Sequence, residues 1–291
     1  MAPGPLQGLK VISETGQTFD IFQGDFNLQH IDGVGLPPVE RRFQRAPLGH
    51  GATDKGFRIL PRNMTLTLTI RSDNLPHSDS LRDRLSYIFS PTNDFLTLEM
   101  TRDDFGVRRI DCYVVGEVDY PQSQRVGSGQ TVVLNLMAAD PFFYYPTQQV
   151  YPQNLINGAK NFDILCNDFS WDDWPIIYVG GPIDAGLSIY HTPGGEIISF
   201  DEAVPAGESF RIDLRPGQKT VRRVSDNANR MSYLDPNSLV AFSTMRLLCL
   251  KNALAVDNAW PNLYNRWTFT AAGTTGASYA SIYYYKRYVS L

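Results

Sequence analysis

The stretch "MTLTLTIR" sets Met64, Leu66, Leu68 and Ile70 against Thr65, Thr67, Thr69 and Arg71 without a break. A side-chain period of two belongs to a strand, because an α-helix would scatter those four apolar side chains around its axis. One face is built for a core and the other for a more polar setting, so the chain must make a sheet with a buried side. "TVVLNLMA", "DFLTLEM" and "RRIDCYVVGEV" repeat the pattern less strictly, and "GLKVISE" with "TFDIFQGDF" reads as another strand pair. Aromatic residues at 12% and many Thr, Val and Ile favour the same geometry.

One stretch of the first half has the other period. In "LPHSDSLRDRLSYIFSP", Ser78 or Asp79 is placed to cap a helix, Leu81, Leu85, Ile88 and Phe89 form one stripe, and Pro91 closes it. The first half therefore reads as a β domain with one helix against its sheet, an α+β pattern. Residues 31–57 interrupt it with "DGVGLPPVERRFQRAPLGHGATDKGF", rich in Gly, Pro and Arg and without sustained periodicity. A long irregular segment inside a domain usually serves binding or assembly. Arg41, Arg42 and Arg45 cluster there, and Arg58 and Arg62 follow at its exit. The plain reading is a solvated basic loop, and the functional one is an arm that touches a neighbouring subunit.

At "LMAADPFFYYPTQQVYP" two prolines bracket four consecutive aromatics, Phe142 to Tyr145. Proline removes a ladder donor, so a central strand is excluded, and a free linker would not be so apolar. The stretch reads as a packed junction between domains at 1–145 and 146–291. Beyond it, "DWPIIYVGG", "GEIISF", "ESFRIDLRPGQKTVRRV", "MRLLCLKN", "RWTFTAAG" and "SYASIYYYKRYVSL" read as successive strands, with "RPGQ" as a hairpin turn. Short strands, regular turn signals and no evident helix imply an antiparallel sandwich. The last strand is apolar on both faces, which suits a central position.

The 291-residue chain carries a formal charge of −4, and both halves are mildly acidic, so it does not have the charge of a nucleic-acid binder. No apolar run approaches a membrane span, and the opening "MAPGPLQGLKVISETG" lacks the charged and apolar regions of a secretory leader. Cys112, Cys166 and Cys249 are odd in number and far apart, which points to reduced thiols in a protein made in the cytoplasm. His30, His50, His77 and His191 share no metal-ligand spacing and read as surface or turn residues. Metalloprotease, nucleophile-elbow and phosphate-loop motifs are missing, so no cofactor or metal is expected. In "TRDDFGVRR", Asp103 and Asp104 belong to a hairpin turn with Gly106. In "SWDDWP", Trp171 and Trp174 could stack on sugars while Asp172 and Asp173 accept hydroxyl hydrogen bonds, although tryptophans more often anchor a core.

"RAPLGHGATDKGFRILPRNMTLTLTI" resembles the signature region of siphophage distal tail proteins, and "LNLMAADPFFYYP" is similar to the end of that family's first domain. "PAGESFRIDLRPGQKTV" followed by "SYASIYYYKRYVSL" resembles its C-terminal domain. The resemblance implies a mainly β fold. The first domain would be a tail-tube-like β-sandwich or split barrel with one helix, and the second a galectin-like or carbohydrate-module-like sandwich outside it. It also implies a non-enzymatic virion protein at the distal end of a phage tail. The first domain would build a ring, usually a hexamer, around a channel through which DNA passes only as cargo. Expected partners are further copies of the chain, the tail tube protein, the tail-tip hub and host-recognition proteins or fibres. A glycan-binding, adhesin-like module is the alternative, and a glycan-cleaving enzyme comes last because no separated carboxylate pair can be singled out.

Overall fold

In the computed structural model most of the alternating stretches are strands, and all the strand pairs described below are antiparallel. It describes residues 6–45, 50–90, 92, 95–103, 106–121, 125–126, 129–155, 158–165, 169–249 and 264–291. Two units emerge, Met1–Pro146 together with Tyr288–Leu291, and Thr147–Arg287. Tyr288–Leu291, expected in the second domain, thus sit with the first.

In the first unit, β1 (Leu6–Ser13), β2 (Thr18–Asp20), β3 (Phe26–Asp32), β4 (Val39–Gln44), β5 (Thr53–Ile59) and β6 (Arg62–Ile70) lead to helix α1 (Leu75–Ile88). Strands β7 (Leu96–Arg102), β8 (Gly106–Asp119), β9 (Arg125–Val126), β10 (Gly129–Ala138) and β11 (Phe143–Tyr144) follow. The main strand order is β2-β1-β7-β8-β10-β6-β3. Strand β8 belongs to two layers: Gly106–Cys112 pairs with β7, and the stretch from Tyr113 onward pairs with β10. Just past this change of partner, between Val114 and Val118, the register slips opposite Leu134 and Leu136, and Gly116 takes a φ of 84° there. A bulge with glycine in the left-handed region is how a strand bends without breaking.

Both layers contribute to one core, with Leu9 and Val11 of β1, Met64 to Ile70 of β6 and Leu98 of β7. Leu81, Leu85 and Ile88 of α1 pack against it, so the stripe on the helix is used as the sequence implies. The cap differs. Asn74 accepts the backbone N–H of His77 at 2.9 Å, and Ser78 is buried one turn later. Pro76 explains the earlier start, since a first-turn proline forfeits no helical hydrogen bond.

Segment 31–57 contains regular structure that its sequence did not suggest. Strands β4 and β5 pair as a separate two-stranded ribbon. The junction aromatics also form structure, because Phe143 lies fully buried in the first core and Tyr144 pairs with Arg109 of β8.

Arg62 closes this unit. It is 1% exposed at the start of β6 and donates to four backbone carbonyls. These are Pro141 at 2.8 Å, Gly33 at 2.5 Å, Gly35 at 2.6 Å and Val289 at 2.8 Å. Its guanidinium also sits 4.8 Å from the centre of the Phe143 ring. Burial lowers its pKa to about 10, which leaves it charged at neutral pH. Two further arginines hold the last residues, Arg102 at Leu291 O (2.9 Å) and Arg108 at Ser290 O (2.5 Å). Gly33 approaches so closely that a Cβ there would lie 2.1 Å from Asn63 O.

The second unit contains β12 (Gln149–Asn154), β13 (Gly158–Leu165), β14 (Ile176–Gly180), β15 (Leu187–His191), β16 (Glu196–Phe200), β17 (Ser209–Asp213) and β18 (Thr220–Arg223). Helix α2 (Leu239–Thr244), β19 (Tyr264–Ala271), β20 (Tyr279–Tyr284) and β21 (Arg287–Tyr288) complete the chain. A five-stranded sheet, β12-β20-β14-β17-β18, faces a four-stranded one, β13-β19-β15-β16. Phe162, Phe210, Trp267, Phe269 and Ile282 are among the buried side chains, with the Phe162 and Phe269 rings 4.5 Å apart. Strand β20 has partners on both sides, as its two apolar faces suggest.

The helical part of this unit departs from the sequence reading. Met231–Tyr233 and Pro236–Ser238 are single helical turns that lead into α2. "MRLLCLKN" is no regular strand over its described residues; only Leu247 makes a bridge, to Asp173. Among the described residues no helix is long and apolar enough to cross a membrane.

Replacing Arg62 by Leu leaves four carbonyls without their donor and should cost on the order of 3 kcal/mol. Arg62→Lys keeps a charge but only three donors and should recover part of that loss. Thermal unfolding of the full chain checks this, and a wild-type midpoint for Arg62→Leu would contradict the closing role.

Candidate assembly interface

The β4–β5 ribbon gathers most of the basic cluster. Its register pairs Val39 with Ile59, Glu40 with Arg58 and Arg41 with Phe57, then slips by a bulge to Phe43 with Asp54. Arg41 Nη1 reaches Asp54 Oδ2 at 2.8 Å, which puts Val39, Arg41, Phe43, Asp54, Phe57 and Ile59 on one side. Arg58 and Glu40 pair on the other at 2.7 Å. Both ion pairs are well exposed and add only tenths of a kcal/mol. Gly56 supplies the tight spot, with a φ of 99° and its N–H on Asp54 Oδ1.

The apolar side of the ribbon carries the stronger signal. Val39 is 50% exposed, Phe43 61% and Phe57 55%, and Leu36 just before the ribbon reaches 76%. A two-stranded ribbon is marginal alone in water, and contiguous exposed aromatics mark a surface that expects a partner. The arginines drew attention in the sequence, but the aromatics are the better candidates for contact. The alternation of Val39, Arg41 and Phe43 in "VERRF" was the available clue.

Arg42 and Arg45 are exposed on or beside the ribbon. Arg62 is not part of this surface, because its guanidinium is used up inside the first unit.

The four residues of "WDDW" are a tie within the second unit. Trp171 N–H reaches Arg287 O at 3.2 Å. Asp172 Oδ1 accepts the Cys249 N–H at 2.7 Å, and its other oxygen lies 2.8 Å from Arg246 Nε. Asp173 is buried and accepts the Tyr285 N–H at 2.8 Å, while its backbone bridges Leu247 in both directions. Trp174 is half-buried under the Arg287 guanidinium. Both carboxylates therefore serve internal partners, which is at odds with an open sugar platform.

His191 is also not a surface residue. It is fully buried, with Nδ1 3.1 Å from Glu196 Oε2, Nε2 2.8 Å from Asn265 Oδ1 and its ring against Trp267. Cys112 is buried too, and burial, with help from Asp111, pushes its thiol up to about 12, so it is inert at neutral pH. Cys166 and Asp104 lie outside the described residues. Among the described residues no three of His, Cys, Asp and Glu converge on a possible metal position.

Comparison with known proteins bears on this geometry. Residues 15–133 match the family described as phage tail protein RIFT-related domain. In sequence, no curated protein matches the chain. In structure, the Dit protein of phage SPP1 superposes with a TM-score of 0.66 at 12% identity, covering 97% of this chain and 99% of that one. It is described as a paradigm of the hub adsorption apparatus in phages that infect Gram-positive hosts. A chain of the phage p2 baseplate, in its activated conformation with calcium, gives 0.54 at 12% identity over 96% and 97%. The strontium form of that baseplate gives 0.53 over the same shares. The matching family is one of phage tail proteins, and the solved structures are a Dit protein and chains of a phage baseplate.

Asp173→Ala removes the acceptor for Tyr285 and the partner of Arg287, and should cost about 2 kcal/mol. Equilibrium unfolding measures this, and an unchanged midpoint would show that the tie is not structural.

Proposed function

We propose that this chain, which carries a phage tail protein RIFT-related domain over residues 15–133 and takes the fold of a distal tail protein over its length, is a structural hub of a siphophage tail. Several copies, six by the resemblance, close a ring at the distal end of the tail tube. The first unit builds the ring and the second stands at its periphery. The tube protein binds on one side, the tail-tip and host-recognition proteins on the other, and DNA passes through as cargo.

One observation carries this reading. The β4–β5 ribbon offers Val39, Phe43 and Phe57 to solvent, while the fold matches tail and baseplate proteins almost end to end. A ribbon of this kind suits a head-to-tail contact, in which a protrusion on one copy meets a different surface on the next. Such contacts close into a ring when the rotation allows. The mild acidity of the first half also suits a channel that must not retain DNA.

Six copies of a 32.7 kDa chain should elute and scatter light as a particle of roughly 200 kDa, with a central hole in negative-stain images. Phe43→Glu combined with Phe57→Glu should abolish the particle while circular dichroism and thermal midpoint stay near wild type. A wild-type protein that stays monomeric at all concentrations, even with the tube protein present, would overturn the reading.

A further inference from the structure

The five-stranded sheet of the second unit turns one face inward through Phe210, Ile212, Ile177, Val179 and Ile282, all buried. Its other face carries a row that runs straight across four strands. Ser281 of β20 lies opposite Tyr178 of β14, Tyr178 opposite Arg211 of β17, and Arg211 opposite Arg222 of β18. Directly opposed like charges on one sheet face are destabilising, so Arg211 beside Arg222 violates the ordinary rule for cross-strand pairs. Departures of that kind concentrate at sites kept for function.

The surrounding charges do not cancel the pair. Asp213 is buried at 1% exposure and holds Arg211 at 2.6 Å and Arg215 at 2.8 Å, so one carboxylate serves two guanidiniums. Burial pushes the Asp213 carboxyl up, but the hydrogen bonds and charges of Arg215 and Arg211 outweigh it and hold the group below its usual range. Arg215 also feels Asp173, which is itself engaged with Tyr285 and Arg287. Arg223 is taken by Glu208 and Asp226. Among the described residues Arg222 has no acidic partner. The two arginines of the row have one carboxylate between them, Asp213, which Arg215 also takes up, so positive charge is in excess beside Tyr178, whose ring meets Tyr283 edge-on at 5.1 Å.

We propose that this row binds an anionic polysaccharide, with a sugar ring on Tyr178 and the polymer's carboxylate or phosphate on Arg211 and Arg222. Guanidiniums recognise both oxyanions with paired donors, and a tyrosine face stacks on a pyranose. From Ser281 to Arg222 the row spans three strand spacings, about 14 Å, which suits a short run of repeating units. An acidic strand joining the sheet edge is a poorer fit. Arg223 N–H bonds Ala228 O, and Arg230 N–H bonds Val221 O, so the far side of β18 is already occupied. This site goes beyond the hub function and does not depend on ring closure.

The test uses the full chain and four polymers in binding measurements at low and moderate salt: alginate, a phosphorylated mannan, dextran and poly-L-glutamate. Alginate or the phosphorylated mannan should bind in a salt-sensitive way and dextran should not, and the better of the two identifies the acid. Arg222→Glu and Tyr178→Leu, each checked for folding by circular dichroism, should both weaken that binding at least tenfold. Equal binding of poly-L-glutamate with no effect of Tyr178→Leu would overturn the proposal in favour of a surface for acidic peptides. Failure of a folded wild-type chain to bind either acidic polysaccharide would overturn it as well. Size exclusion of the same samples reports ring formation separately, so loss of the hub reading and loss of this site are told apart.

Discussion

A single guanidinium joins four separate parts of the chain in the first unit. Arg62 begins the most regular strand, and its donors end on Gly33 and Gly35 after β3, Pro141 after β10 and Val289 near the C-terminal end. A charge at 1% exposure is tolerable only when its hydrogens are met, and here they are met by neutral carbonyls rather than by a carboxylate. Arginine can do this because its rigid fork of five donors fans out in a plane. Every carbonyl it holds belongs to a segment leaving or entering the sheets, so it fixes where those connections lie. The close passage of Gly33 over Asn63 follows from the same constraint, since a side chain there would push the loop away from its donor.

That arrangement makes the first unit discontinuous. The chain leaves it at Pro146 and returns at Tyr288, and the returning residues are held by Arg62, Arg102 and Arg108. The unit therefore completes its own hydrogen bonds only after the second has been made. Contacts of such long sequence separation form late, because the loop must close before the bonds are gained. For a protein that works as a building block, this ties the finished state of one unit to synthesis of the other.

Arginines play three distinct parts in the molecule. Arg62 is a buried donor to the backbone. Arg41 and Arg58 form exposed pairs that flank aromatics on the β4–β5 ribbon and contribute little energy themselves. Arg211 and Arg222 oppose each other on a sheet face with too few acids to neutralise them. Residue type is the same to a reader of the chain in all three cases. Burial and the identity of the cross-strand neighbour separate them.

The sequence by itself determined the β character, the stripe of α1, the hairpin at Gly217 and the central place of β20, because each follows from a local period or a turn residue. It also contained the β4–β5 ribbon, but in a form the Gly and Pro content concealed: a bulge on β5, where the step from Asp54 to Phe57 opposes the shorter step from Arg41 to Phe43, breaks the alternation of the second strand. The Asn74 cap and the short helix α2 escaped for a similar reason, as both rest on a few polar contacts rather than on a repeated pattern. Tertiary structure alone decided that Arg62 is interior, that "WDDW" is a tie, that His191 is buried and that Tyr288–Leu291 return to the first unit. These depend on carbonyls and side chains tens to hundreds of positions away, such as Val289 for Arg62 and Asn265 for His191. A local pattern records which face of an element is apolar. Which distant atoms meet a given donor is settled only when the sheets have packed.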